Sequence, residues 1–525
     1  NTSNGGFIET SAAHVKIADS AKITTASAMG LAGSWLIDPV DFTIAASGGD
    51  MTGAAVNSAL TSTNFTIQST TGAAGTSGNV NINDAVSWSA NKLTLNAQNN
   101  IHINANLNAS GTASLALEYG QGAVAAGNTS NYHLNGAQVN LPAGQNFSIK
   151  LGSDGTTTAY TVITTLGAQG STTGTDLQGI NGNLGGNYVL GANVEAIATN
   201  TWNAGAGFVP LGNPGAYFIG KFDGLGHTIN NLTINRPSTD FVGLFGIAAY
   251  NSTVRNVGLI NSSVTGSNFV GTLVGQNNVT INNAYATGNV AGSGNSVGGL
   301  VGRNNGSISN AYATGGVTGS VSHVGGLVGM NVGSISNAYA TGSVTGNNNV
   351  GGLVGYNSGG NINNTYATGS ISSPSYWAGG LVGFSYGGST SNSFSGLSTA
   401  QMQAQATFTG FDFANTWVMY EGHTTALLRS FMTPLTVSNA SKTYDGQAVG
   451  VSAFGLPASN IFGTLRHTQL WWHVRRRGQR RQLHGNRPGR SLLQPARLHH
   501  QLCRRHTDGE QSQPHPEHQQ CQQDL

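Results

Sequence analysis

The sequence predicts an all-β protein, a right-handed parallel β-helix (β-solenoid) stacked into an elongated rod. Three observations predict it. One sentence recurs through the middle of the 525-residue chain: "VGGLVG", a few polar residues, then "I-x-N-A-Y-A-T-G-x-V-x-G". Its entries start at Val242, Val270, Val297, Val324 and Val350, with a variant at Ala378, a nearly constant step. Tyr285, Tyr312, Tyr339 and Tyr366 recur within the repeats at one fixed spacing. A fixed period of this length means units that bury an apolar face only by stacking on their neighbours.

Within one repeat the apolar residues come in short runs, such as Leu300-Val301 and Ile308, Ala311, Ala313, separated by Gly, Asn and Ser. No stretch has helical periodicity, so the runs read as strands broken by turns. Gly and Asn tolerate positive φ, which tight corners require. Each repeat makes roughly one coil, with coils ~4.8 Å apart. The tyrosines then form a vertical ladder, which is either packing or a strip on which sugars stack.

Residues 1–200 carry period-2 pairs as well: Val80/Ile82, Leu93/Leu95, Ile101/Ile103 and Leu115/Leu117. The steps from Val80 to Ile101 and from Leu93 to Leu115 define a second and shorter coil. Asn83, Asn91, Asn96, Asn99, Asn100, Asn104, Asn106 and Asn108 crowd the same stretch. Stacked Asn side chains can hydrogen-bond from coil to coil and satisfy backbone groups that the corners expose. Coils of ~21–27 residues over residues 1–430 predict roughly 16–20 coils, on the order of 80–100 Å.

Only 8% of residues are charged and 77 are Gly, yet the regular apolar alternation argues for packed structure over disorder. No run of 18 apolar residues occurs, so no transmembrane helix is expected. The basic balance is local. Residues 466–525 hold 11 of the 21 Lys+Arg, 8 of the 14 His and both cysteines, Cys503 and Cys521. Residues 1–465 carry a net charge of −5 and no Cys, so no disulfide framework is expected there, as suits a protein that crosses a pore unfolded.

The chain offers little chemistry. β-Helical polysaccharide enzymes need clustered carboxylates. Residues 241–411 contain no acid, and their only cations are Arg255 and Arg303. Asp223 with His227 in "FDGLGH", and Asp38 with Asp41 in "WLIDPVDF", are possible catalytic or Ca²⁺ pairs, or else turn residues beside Gly or Pro. His102, His133, His323 and His423 are isolated. No catalytic, cofactor-binding or metal residue is expected, and no cofactor. Sequons such as Asn64-Phe-Thr, Asn231-Leu-Thr, Asn278-Val-Thr and Asn305-Gly-Ser could carry glycans or arise by chance in an Asn/Ser/Thr-rich chain.

The strings "GLFG" at Gly243, "GTLVG" at Gly271 and "GGLVG" at Gly298, Gly325, Gly351 and Gly379 resemble the GLUG motif of large bacterial surface proteins. "FIGKFDGLGHTINNLTI", from Phe218 to Ile234, looks like the turn that leads into such arrays. Upstream, "NGGFIETSA" at Asn4, "GSWLIDPVDFTIA" at Gly33, "SGGDMTG" at Ser47 and "NDAVSWSANKLTLNAQNNIHINANLNASGT" at Asn83 resemble filamentous-haemagglutinin-type exoproteins of two-partner secretion. "GTDLQGINGNLGGNYVLGANVEA" from Gly174 resembles the link between the two repeat types. No start Met or secretion domain precedes these strings, so the chain reads as a fragment.

The basic tail has two readings. "VRRRGQRR" from Val474 is a candidate nucleic-acid or heparin patch. Alternatively, codons allowed for residues 471–486, 500–513 and 519–524 yield β-rich strings when read one base later. The last of these permits S-N-V-S-K-T, an echo of "SNASKT" at Ser438. These strings resemble the MBG modules that follow GLUG arrays, so the tail reads as an out-of-frame translation beginning near Arg466.

The resulting organisation is a haemagglutinin-like solenoid at 1–173, linking coils at 174–241, and a GLUG array at 242–396. A rod-end cap at 397–433 follows, then a truncated MBG-like module at 434–465 and the disordered tail at 466–525. The resemblance implies a secreted, non-enzymatic adhesin on the bacterial surface. It would be exported by an outer-membrane partner pore and bind host-cell surfaces or glycans, with no nucleic-acid partner and no transmembrane segment. A stalk carrying a contact-dependent toxin, and a polysaccharide-active enzyme, are the alternatives.

Overall fold

The computed structural model describes residues 4–72, 76–249, 252–375 and 377–432, and the backbone of Ser441–Lys442 paired with Leu483–His484. The chain divides into two compact units, Asn1–Pro434 and Leu435–Leu525. The MBG-like module, the frame change near Arg466, "VRRRGQRR" and both cysteines lie outside the described residues apart from those two short strands.

The first unit is nearly all β. Its strands, mostly parallel, form a β-solenoid of about 14 turns. This is fewer than the 16–20 coils expected, because several early coils are longer than their apolar pairs suggest. Successive strands pair Ser34 with Asn64 and Leu115 with Phe147, wider steps than those from Val80 to Ile101 and from Leu93 to Leu115. One of these coils carries a helix, Gly53–Leu60, started by Thr52, whose hydroxyl accepts the N–H of Ala55 at 3.1 Å.

In the array, one coil has four strands: Val297–Gly298, Val301–Asn304, Ser307–Ala313 and Val317–Gly319. Each pairs in parallel with its counterpart one coil later: Val297 with Val324, Val301 with Val328, Tyr312 with Tyr339 and Val317 with Val344. Val297, Leu300, Val301, Ile308, Ala311, Ala313 and Val317 all point inward and are fully or almost fully buried. A buried Leu or Val contributes ~1.5–3 kcal/mol, and the repeat places these in continuous columns.

The "GGLVG" string is a packing requirement. A Cβ on Gly298 would lie 2.2 Å from the Val301 carbonyl oxygen, and one on Gly299 would lie 2.2 Å from that of Gly326 in the next coil. The Asn of "I-x-N-A-Y" is the other corner device. Asn256, Asn283, Asn310, Asn337 and Asn364 all have φ between 49° and 55°, where Asn is tolerated and branched residues are not. This residue bends the longest strand of each coil.

One feature has no counterpart in the repeat pattern. Gly144–Leu151 and Thr158–Ile163 pair antiparallel, and Thr158–Ile163 then pairs in parallel with Asn187–Leu190. Strand direction in this sheet therefore reverses, while coils continue to stack in the same direction. The core changes side of the sheet at the same point. Tyr160 and Val162 belong to the first core, whereas Ile163, Tyr188 and Leu190, on the opposite face, belong to the second. The two reversals cancel, so both stacks wind in the same sense.

Residues 397–432 were expected to cap the end of the rod. They lie instead along its side. Met402, Phe408, Phe411, Trp417, Met419 and Leu428 form a third core with Tyr339 and Tyr366. The final coil keeps exposed edges, its strands Val382–Tyr386 and Ser389–Ser395 being largely solvent-facing. The aromatic residues of the segment bury themselves against the tyrosine column and against Phe394 of the last coil.

Candidate binding faces

The tyrosine ladder is present, and the structure shows what it touches. Tyr285, Tyr312, Tyr339 and Tyr366 stack face to face with centroids 4.8, 4.9 and 4.9 Å apart and ring planes within 9°. Parallel in-register strands hold them there, one per coil. Gly258 precedes them in the column, and a Cβ there would lie 2.2 Å from Cζ of Tyr285. The ladder is covered. Tyr339 is 7% exposed and Tyr366 0%. Trp417 lies 6.3 and 6.1 Å from these two rings, and Phe431 stands edge-on to Tyr285 and Tyr312 at 5.2 and 5.1 Å. Burial raises all four phenols above their ordinary range. The packing alternative accounts for these contacts.

Asn ladders run along both stacks. On the first stack Asn104 donates to Asn83 at 2.6 Å, and Asn135 donates to Asn104 at 2.6 Å. The array has a buried counterpart that sequence reading missed: Asn277 donates to Asn304 at 2.7 Å, Asn304 to Asn331 at 2.8 Å and Asn331 to Asn357 at 2.8 Å. Its signal was the Asn that follows each "LVG" after one intervening residue. Sequon amides serve the same coil-to-coil bonding. Asn64 donates to Gly33 at 3.2 Å, Asn231 to Glu195 at 3.0 Å and Asn305 to Asn278 at 2.7 Å.

Two of the acid candidates, Asp223 and Asp41, are taken up in hydrogen bonding. Asp223 and His227 are both buried at the junction between the two stacks. Asp223 accepts from Arg255 Nε at 2.6 Å, from Asn256 at 3.0 Å, from the Leu225 N–H at 2.8 Å and from the Tyr132 hydroxyl. The Arg255 guanidinium lies 4.3 Å above the Tyr132 ring. His227 contacts Asn193 at 3.2 Å and the Val139 carbonyl at 3.0 Å, and burial lowers its pKa. This closed network leaves no oxygen facing a substrate. Asp41 accepts the N–H groups of Ser77 and Asn79 at 3.2 and 2.9 Å, as a turn residue does. Burial, followed by the nearby charge of Glu9, raises the pKa of Asp38. Among the described residues no group of three or more His, Cys, Asp or Glu could hold a metal ion.

His102 and His133 are in register on neighbouring strands, with rings stacked at 5.2 Å. His423 stacks on Tyr420 at 4.4 Å. His323 belongs to an outward aromatic group that sequence reading did not single out. It stacks on Tyr356 at 4.9 Å, Tyr356 on Phe384 at 5.7 Å, and Trp377 lies 5.5 Å from Phe384. Tyr356 and Phe384 close the outward column Gln276, Arg303, Met330, Tyr356, Phe384, whose chemistry changes at every step. A column of changing residue type leaves no repeat signature.

The fold and faces define a repeat protein of the parallel β-solenoid class. Within it, the family model described as "The GLUG motif" matches residues 293–318, 320–345 and 346–372, so GLUG repeats are present. The chain is 42% identical to halomucin of Haloquadratum walsbyi over 121 residues, 22% of this chain and 1% of halomucin. It is 35% identical over 82 residues to a "Putative Gly-rich membrane protein" of Evansella cellulosilytica, covering 15% of this chain and 10% of that protein. The chain thus spans a small part of these relatives. A Bacteroides ovatus crystal structure, described as a "putative immunoglobulin A1 protease", matches 52% of this chain and 92% of its own at 18% identity and a TM-score of 0.35. No helix among the described residues is long and apolar enough to cross a membrane.

Proposed function

We propose that this protein is a secreted, cell-surface adhesin of the filamentous-haemagglutinin type, a passive solenoid that binds host cells, matrix, glycans or other bacteria and performs no catalysis. The observation that carries this reading is the nearly uncharged repeating outer surface. From residue 241 to 411 there is no acid, and the coils present registered columns of Asn, Ser and Thr on their faces. Such a surface offers weak, repeated hydrogen bonds, and useful affinity comes from engaging many at once. The names of the two relatives, halomucin and a Gly-rich membrane protein, agree with a surface location. The Cys-free stretch 1–465 agrees with export unfolded through an outer-membrane partner pore.

The test is direct. Beads coated with the full chain are exposed to epithelial cells, matrix proteins and immobilised glycans, and the same preparation is incubated with polysaccharides. Retention without release of reducing ends or unsaturated products supports the adhesin. Product release favours an enzyme, and absence of retention on every surface favours an inert stalk.

A further inference from the structure

We infer that the outward aromatic group of His323, Tyr356, Trp377, Phe384 and Tyr386 is a binding site for an uncharged polysaccharide. This inference rests on the adhesin reading and names its ligand class and place. Two aromatic columns leave the array, and they are treated differently. The tyrosine ladder is covered by residues 402–431. The second group is left open: Trp377 is 53% exposed, Phe384 36% and Tyr386 72%. Exposed large aromatics that cluster on a folded surface mark an interaction site.

The geometry favours a sugar chain over other occupants. The rings of His323, Tyr356 and Phe384 lie within 24° of parallel from neighbour to neighbour. These rings are stacked face to face, so they cover one another, and the open apolar surface is the angled corner of Phe384 and Trp377, tilted 51° to each other. A pyranose ring has an apolar C–H face that packs against exposed aromatic rings and a hydroxyl rim that needs amides and hydroxyls around it. The rim is supplied locally: Ser375 Oγ donates to Asn348 Oδ1 at 2.7 Å and accepts the Trp377 N–H at 3.1 Å. Aromatic anchors in protein interfaces instead fill closed, desolvated pockets, and this group stands on an open strand face. Nucleic acid or a charged peptide would need countercharge. No acid occurs from residue 241 to 411, and Arg303, two coils from Phe384's strand partner Tyr356, pairs its Nε with Asn305 at 3.0 Å. Burial also lowers the His323 pKa, which keeps that ring neutral. The exposed rings are therefore apolar and without charge, with polar groups beside them, as a neutral sugar requires.

The experiment uses the full chain in native affinity electrophoresis through gels containing β-glucan, xylan, galactomannan or dextran. Bead retention of cells is measured in parallel. At least one polysaccharide should retard the protein, and W377A/F384A should weaken that retardation about tenfold or more. Phe7→Ala, a change of a 63% exposed ring at the other end of the unit, should leave it unaltered. Unchanged melting of W377A/F384A shows that the fold is intact. If it melts early, Y386A is the second variant and should still weaken retardation. Equal retardation of wild type and variants overturns the site. So does a protein whose beads retain cells while no polysaccharide retards it, or whose retention is lost when the cells are treated with protease; in both cases adhesion stands and the glycan site falls. Loss of retention on every surface removes the adhesin reading itself.

Discussion

The phenolic hydroxyl of Tyr366 donates to the main-chain carbonyl of Ala426 at 2.7 Å, a contact between segments far apart in sequence. This bond fixes residues 397–432 against the side of the array, with Trp417 fully buried beside the same ring. The segment spans the ladder from Phe431 on Tyr285 to Phe408 on Phe394. It ties successive coils together from outside, in addition to the hydrogen bonds between them.

Loss of that tie should be measurable. Trp417→Ala should cost about 3–5 kcal/mol of local stability, as large aromatic truncations in cores do, and Tyr366→Phe about 1–3 kcal/mol by orphaning a buried carbonyl. Hydrogen exchange should show residues 397–432 losing protection before the coils. Simultaneous loss throughout the unit would mean the segment is not a separate fastening.

The glycines of the repeat give a matched pair. Gly325→Val places a Cβ 2.0 Å from the Val328 carbonyl oxygen. It should destabilise by well over the ~1 kcal/mol of a typical substitution. At Gly316 the nearest atom to a new Cβ is 3.3 Å away, the side-chain oxygen of Asn289. Gly316→Ala should be close to neutral. Equal melting of the two variants would show that close coil contact is not what selects Gly in "GGLVG".

The junction between the stacks depends on a buried pair. Removing one partner of such a pair typically costs ~3–5 kcal/mol because the other charge is left unpaired. Asp223→Ala should therefore lower the unfolding midpoint strongly, with Tyr132, Asn256 and Arg255 losing their common acceptor. Arg255→Met with Asp223→Leu should recover part of the loss. A double variant no better than the single would contradict the pairing argument.

Much of this was legible in the sequence and some was not. The period of Val297, Val324 and Val350 gives the coil, and the constant tyrosine spacing gives the ladder, because in-register parallel stacking puts like on like. The Asn83–Asn104 bonding was readable for the same reason. The reversal at Gly144–Leu151 was not, since one antiparallel pairing has the same period-2 pattern as its parallel neighbours. Neither was the cover over the ladder: "Trp417, Met419, Tyr420" announces an apolar segment and not which surface it will bury. The outward column ending in Phe384 escaped notice because solvent-facing positions are not held to one residue type.

Acid should weaken the fold. Burial lowers the pKa of His102, His133, His227 and His323 below the ordinary value of 6.5, and the charges of His102 and Arg255 lower His133 further. Above 6.5 the folded and unfolded forms are both neutral at these sites, and stability is at its full value. As pH falls below 6.5 the unfolded chain takes up protons that the folded form refuses, so stability declines. H102N/H133N, which extends the residue type of Asn81 in the same column, should flatten part of that decline between about pH 6.5 and pH 5. A melting temperature independent of pH in this range would contradict the buried-histidine account.

The central claim is that stacked, interchangeable coils bind through their outer faces. Its most direct test is bead retention as a function of coil number. Deleting residues 270–296 removes one whole repeat and joins Phe269 to Val297 in register. The shortened chain should still fold, yet release cells or glycan surfaces faster under flow, and removal of a second repeat should hasten release again. Release rates that do not change with the number of coils would contradict the account.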